Sequence, residues 1–361
     1  MQYIQDAVSS GKISGNGGFT KKCQSYFNQK FGFQKSLLTT SCTDALEMAA
    51  MLLDVGPGDE VIVPSYTFVS SALAFVRQGA KIVFADSRSD HPGIDEKKLA
   101  ELINTNTKVI VVVHYAGVAC DMDVIMRIAK QHQIFVVEDS AQAVDAYYKG
   151  KALGSIGDLG AFSFHETKNI IAGEGGMLTI NNKSFLDRAE VIWEKGTNRS
   201  AFFKGEIDKY GWVDTGSSFL PSELIAAFLY AQLEELEKIQ EKRKKIWNIY
   251  KEELSSLQVQ GKLKLPMLPE YATNNAHMFY VLTDDVVQRD QLLSFLKKNG
   301  VLAVFHYLSL HQSEFYIKDN ESPSLPNSDY YTNCLIRLPL YYELKEDQVR
   351  FITEIIKTFY A

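Results

Sequence analysis

The strongest constraint on this chain is an alternation. Between about residues 36 and 180, short runs rich in β-branched residues trade places with helical patterns. The strand-like runs are 60-EVIVPSYTF-68, 81-KIVFAD-86, 108-KVIVVVHY-115 and 134-IFVVED-139. Among them lie 42-CTDALEMAAMLLDVGPGDE-60, 69-VSSALAFVRQG-79, 95-DEKKLAELI-103 and 123-DVIMRIAKQH-132. The first of these sets Leu46, Ala49, Ala50 and Leu53 on one helix face and stops at Gly56-Pro57-Gly58. Near-continuous apolar strands joined by helical crossovers imply a mostly parallel sheet covered on both faces. Such sheets bind ligands outside the carboxyl ends of their strands. That rule points to Pro64–Phe68, His114–Tyr115, Asp139 and the loop at Lys168.

A second pattern follows. Residues 222–256 form a long charged helical stretch with one apolar stripe. Beyond it, strand-like 277-HMFYVLT-283 and 301-VLAVFHY-307 flank a helix at 289-RDQLLSFLKKNG-300. The expected division is a large domain over 1–244 and a smaller α+β domain over 245–361. A length of 361 residues suits two such bodies.

Charge and cysteine usage exclude several classes. The net charge of −6 argues against nucleic acid or an anionic membrane as the main partner. The longest apolar runs, such as 109-VIVVV-113, are too short to span a bilayer. Cys23, Cys42, Cys120 and Cys334 show no CxxC pair and no metal-ligand spacing, so no metal site is expected. They read as reduced thiols, and the N-terminus has no apolar signal core, so a cytoplasmic protein is expected. The sequon Asn198-Arg199-Ser200 is then fortuitous.

Four features coincide with the strand ends. The stretch 41-SCTD-44 opens a helix, whose first amides and positive dipole end can hold a phosphate. The Asp44 carboxylate must then point away. In 134-IFVVEDSAQA-143, Glu138 and Asp139 end a strand and face opposite sides. In 162-FSFHETK-168, Ser163 precedes Lys168 by five residues, a spacing that reaches two ends of one small ring. Behind the lysine, 173-GEGG-176 permits a tight turn. Each feature has a bland counterpart: a helix cap, a loop carboxylate, a solvated lysine. Together they fit pyridoxal 5′-phosphate, which needs a lysine, an acid at its pyridine nitrogen, a phosphate cup and a flat side chain over the ring. Phe68 is the candidate for that side chain, with a plain core residue as its alternative. Burial and nearby positive charge should bring Lys168 below its reference of about 10.4.

The order SCTDAL, GPGDEVIVPSYTF, VVEDSAQA, FSFHETKN, GEGG resembles the DegT/DnrJ/EryC1/StrS sugar-nucleotide aminotransferases. The resemblance runs from 13-ISGNGGF-19 to 334-CLIRLPLYYEL-344. It implies the type I, aspartate-aminotransferase-like fold of pyridoxal-phosphate enzymes. It further implies that Lys168 carries the cofactor covalently, that Asp139 pairs with the pyridine nitrogen and that Gln142 lies near the ring hydroxyl. Phe68 would stack on the ring, while the Thr43 and Asp44 amides and the Ser163 hydroxyl hold the phosphate. The family places an Asn that reaches the neighbouring subunit's phosphate, and an Arg two residues later. Here Ser218 and Leu220 stand there, so a shorter contact from Ser218 is expected and none from Leu220.

The implied reaction takes an amino group from L-glutamate, releasing 2-oxoglutarate, and passes it to a nucleotide-linked keto sugar in a homodimer. The stretches 194–224, 275-NAHMFYV-281 and 304-VFHYLSLH-311 are most similar to a branch acting on a dTDP-4-keto-6-deoxy sugar. Lys195, Arg199 and His306 are candidate cations for the diphosphate, with Tyr307 beside them. Whether C4 or C3 is aminated, the configuration formed and the base stay open at this stage. A sugar dehydratase of this fold would carry His in place of Lys168, and a non-catalytic relative would lose the lysine or the acid. The run 15-GNGGF-19 lacks the GxGxxG spacing of an oxidoreductase. His165 and Glu166 have no assigned role.

Overall fold

Seven strands make the central sheet of this computed structural model, which describes residues 1–361. They are β1 (Ser36–Thr39), β2 (Glu60–Pro64), β3 (Lys81–Ala85), β4 (Thr107–Val113), β5 (Phe135–Asp139), β6 (Leu159–Ser163) and β7 (Gly176–Ile180). Their order across the sheet is β1-β7-β6-β5-β4-β2-β3. The pairs from β3 to β6 are parallel, whereas β7 runs antiparallel to both β6 and β1.

Successive side chains on a strand face opposite ways, and both sets are buried here. Val109, Val111 and Val137 join a core of 29 buried residues packed against helix α1 (Cys42–Leu52). Ile110, Val112 and Val136 belong to the opposite core, with Ile125 and Ala129 of the helix Met122–His132. Helix α1 begins sharply because Ser41, in extended conformation, accepts a hydrogen bond from the Asp44 amide at 3.0 Å.

The long pattern at 222–256 is two helices, α2 (Glu223–Glu234) and α3 (Leu236–Val259), broken at Glu235. Glu223 is buried, and its carboxylate accepts from the amides of Gly17 (2.9 Å), Phe19 (2.6 Å) and Thr20 (3.1 Å). It thereby caps the helix Gly18–Phe31, which has no side-chain cap of its own. Helix α3 crosses position 244/245 unbroken. Its first half packs Leu236 and Ile239 with the N-terminal helices, and its second half packs Ile246 to Leu257 with a separate core. That core includes Phe279 and Val281 on β8 (Phe279–Leu282) and Ile336 and Leu338 on β9 (Leu335–Leu338), which pair antiparallel.

The expected strand at 301–307 does not form. Only Val304 bridges, to Arg337, while Leu302 and Phe305 face outward at 75% and 52% exposure. Val301 and Ala303 pack on the smaller core, but beyond them the segment has no buried face to fix a register along β9. The four cysteines are unpaired. No helix is long and apolar enough to cross a membrane.

Candidate active site

A cavity of about 490 Å³ opens at the carboxyl ends of β2, β4, β5 and β6. Residues following those strands line it, as do Ser41–Thr43 at the start of α1. Beyond the sheet, His277, His306, Tyr307 and Arg337 close it.

Asp139 ends β5 with its carboxylate turned to the cavity and is 6% exposed. Ser71 Oγ donates to Asp139 Oδ2 at 2.6 Å, Thr67 Oγ1 lies 2.9 Å from Ser71 Oγ, and the Ala141 amide donates to Oδ1 at 3.1 Å. Burial raises the Asp139 pKa, and these donors oppose that rise by favouring the charged form. Glu138 turns to the other face, as the alternation of a strand requires. It accepts from the amides of Gly154 (2.8 Å), Ile156 (2.7 Å) and Gly157 (2.6 Å) and lies 2.9 Å from His114 Nε2. The loop-capping carboxylate is therefore Glu138, which leaves Asp139 free for a ligand.

Lys168 follows β6 on a loop closed by backbone bonds from Phe164 to Gly175 (2.8 Å) and from Glu166 to Gly173 (2.9 Å). Gly173 and Gly175 make that closure possible with φ of 82° and 151°. Gly176 is needed for another reason: a Cβ there would stand 2.3 Å from the Ser41 carbonyl. Burial lowers the Lys168 pKa, Arg337 adds to the effect, and Cys42 and Asp139 oppose it.

Other expected contacts divide into three groups. Thr43, Phe68, Gln142 and Ser163 line the cavity with Lys168. Phe68 is 56% exposed, so it is a wall residue and not core, and its ring lies 6.2 Å from that of Tyr307. Gln142 is fixed by the Ala116 amide (2.6 Å) and donates to the Tyr307 hydroxyl at 3.0 Å. Asp44 keeps its carboxylate off the cavity, bonded to the Thr40 hydroxyl, but its amide is already engaged by Ser41. The amides that could meet a phosphate are those of Cys42 and Thr43, which have no protein acceptor.

Lys195, Arg199 and Ser218 do not reach this cavity. They line a second one of about 320 Å³, with Lys12 and Leu220, where Arg199 lies 3.9 Å from Glu194. His306 lines the first cavity but is no cation. Burial, then Arg337 and Lys168, push it down to about 2, and its Nδ1 lies 2.7 Å from the Tyr115 hydroxyl.

Sequence reasoning missed Ser71, Thr67, His277 and Arg337. Arg337 carried a signal, a lone charge inside the apolar run 335-LIRLPL-340. Its guanidinium lines the cavity without a carboxylate partner in the chain. His165 also reaches the cavity wall, with Nδ1 3.0 Å from Thr167 Oγ1.

The unbonded lysine, the held carboxylate, the free helix-start amides and the exposed Phe68 ring fit pyridoxal 5′-phosphate. The model of the DegT/DnrJ/EryC1/StrS aminotransferase family matches residues 1–357. The spore coat polysaccharide biosynthesis protein SpsC of Bacillus subtilis is 32% identical over 366 residues, covering 99% of this chain and 93% of that protein. GDP-perosamine synthase of Vibrio cholerae is 29% identical over 365 residues, covering 99% and 95%. Among solved structures, the PLP-form of Spr1654 from Streptococcus pneumoniae superposes with a TM-score of 0.90 at 26% identity, covering 99% and 94%. The chain belongs to the DegT/DnrJ/EryC1/StrS aminotransferase family, and its cofactor is pyridoxal 5′-phosphate.

Proposed function

We propose that this enzyme moves an amino group from L-glutamate to dTDP-4-keto-6-deoxy-D-glucose, giving 2-oxoglutarate and dTDP-4-amino-4,6-dideoxy-D-galactose. The observation that carries the reading is the convergence of Lys168, Asp139 and the amides at the start of α1 on one cavity. When bound, pyridoxal 5′-phosphate supplies an electron sink, so that a proton can leave the substrate carbon bearing the amine. Lys168, its pKa lowered by burial, is the base that would take that proton from the substrate carbon. Ser71 and the Ala141 amide hold the Asp139 carboxylate and favour its charged form, and it would pair with the pyridine nitrogen. The Cys42 and Thr43 amides would hold the phosphate with Ser163, and Phe68 would cover the ring. Arg337, an unpaired cation, suits a carboxylate of glutamate.

The second cavity fits a homodimer in which Lys195, Arg199 and Ser218 complete the neighbouring subunit's site. Mixing inactive Lys168→Ala and Arg199→Ala chains tests this. Half of randomly paired dimers are mixed, each with one intact site, so about one quarter of full activity should return. No recovery would leave the sites self-contained. The product would enter a cell-surface polysaccharide, of the O-antigen or enterobacterial common antigen kind, made from sugars activated in the cytoplasm. A GDP-linked 4-keto sugar is the second reading, favoured by the likeness to GDP-perosamine synthase.

The deciding experiment incubates the enzyme with glutamate and either dTDP-4-keto-6-deoxyglucose or its GDP-linked counterpart. NMR of the product fixes the aminated carbon and its configuration. An amine at C3, a glucose-configured product, or a deoxy product without an amine would refute the specific assignment.

A further inference from the structure

His277 is 5% exposed and stands in the cavity wall, yet the reaction as described leaves it unused. Its protonation follows from its neighbours. Asn169 Nδ2 lies 2.8 Å from the Asn275 carbonyl oxygen, which can only accept, and 2.8 Å from Gln240 Oε1. Gln240 is oriented in turn, because its Nε2 donates to Asp145 Oδ2 at 3.3 Å. Asn169 therefore presents its oxygen to His277 Nδ1, at 2.8 Å. An amide oxygen cannot donate, so the imidazole proton sits on Nδ1. Nε2 is then a bare lone pair. It has no partner in the chain and is not among the atoms sealed from solvent, so it opens on the cavity. Burial and the charges of Lys168, Arg243 and Arg337 keep a second proton off the ring.

We infer that His277 Nε2 accepts a hydrogen bond from a hydroxyl of the sugar substrate, and so helps the cavity tell the sugar from the amino donor. The inference rests on the sugar aminotransferase reading. The two substrates use one cavity in turn and differ in hydrogen-bonding character. Glutamate's only donor is the amine it gives up; its two carboxylates only accept, and a lone pair facing them gains nothing. A sugar ring brings hydroxyls that can donate. A buried acceptor discriminates strongly against a partner that cannot satisfy it. Arg337 has the opposite preference, so the wall offers one group suited to each substrate.

The test measures the two half-reactions separately, by the absorbance of the bound cofactor, with glutamate and with dTDP-4-keto-6-deoxyglucose. His277→Phe keeps a ring of similar size and removes the acceptor. It should raise the half-saturating sugar concentration about tenfold more than that of glutamate, the scale of one lost hydrogen bond. His277→Gln, which sets an amide oxygen near the place of Nε2, should recover most of the difference. In the wild type, the ¹⁵N signal of His277 Nε2 should move on adding dTDP-4-amino-4,6-dideoxygalactose and stay in place with 2-oxoglutarate. Equal loss in both half-reactions, no loss in either, or a signal moved by 2-oxoglutarate alone would overturn the inference. If the phenylalanine variant does not fold, the glutamine variant and the ¹⁵N signal still decide it. A wild-type protein that binds the cofactor but reacts with neither substrate would overturn the aminotransferase reading itself, and this inference with it.

Discussion

Ser71 donates to the Asp139 carboxylate across 2.6 Å, from the first turn of a helix onto the end of a strand two positions away in the sheet. Removing this donor destabilises the charged form of a carboxylate whose pKa burial already raises. In Ser71→Ala the acid limb of the kcat/KM profile should move to higher pH, because the charged form is the active one. A hydrogen bond to a charged group is worth about 1.5–3 kcal/mol, so activity below the limb should fall roughly ten- to a hundredfold. Ser71→Thr keeps the hydroxyl and should restore both. An unmoved limb in the alanine variant would remove Ser71 from this role.

Lys168→Ala should abolish borohydride-dependent attachment of the cofactor to the chain, read by peptide mass. Turnover should fall by about 10²–10⁴-fold, the usual weight of a positioned acid–base group. The cofactor should still bind reversibly, through the start of α1. Attachment at another lysine would refute the assignment.

His306 and His277 stay neutral in the folded protein, with His306 pushed down to about 2. Below their ordinary value near 6.5 the unfolded chain takes up protons that the fold refuses, so stability falls as pH falls. His306→Asn removes one such group. Its urea-unfolding free energy should drop less between pH 6.5 and 5.5, by up to on the order of 1 kcal/mol. Identical acid slopes in the two proteins would contradict a neutral His306.

Gly176→Ala would place a methyl 2.3 Å from the Ser41 carbonyl and 2.4 Å from the Cys42 amide nitrogen, both backbone. Either β7 or the start of α1 must shift, a strain of about 1–3 kcal/mol. A lower urea midpoint should accompany weaker cofactor affinity, because the displaced amides are those proposed to hold the phosphate. Loss of stability with unchanged affinity would separate the two.

The sheet was legible because its strands are buried on both faces, so 109-VIVVV-113 and 134-IFVVED-139 leave little else to form. Asp139 and Ser163 were legible because they end strands, and Lys168 because it lies on the loop that follows β6. What escaped depends on distance in the chain. Ser71 gains its meaning only from Asp139, and His277 only from Asn169, neither of which is near it in sequence. Misjudging His306 as a cation had a different cause: charge state is set by burial, which a loop sequence does not display. Grouping Lys195 and Arg199 with the first cavity failed because motif order carries no information about which of two cavities a loop lines.

The ladder β1 to β7, with Thr39 opposite Gly176, also orders events in time. β1 has no other neighbour in the sheet, and the helix before it is capped by Glu223. A ribosome releasing about 5–20 residues per second holds β1 unpaired for on the order of ten seconds before β7 emerges. Through that interval the first forty residues are a nascent segment in need of shelter. Once β7 and then Glu223 arrive, those residues become the piece that locks the start of α1 in place.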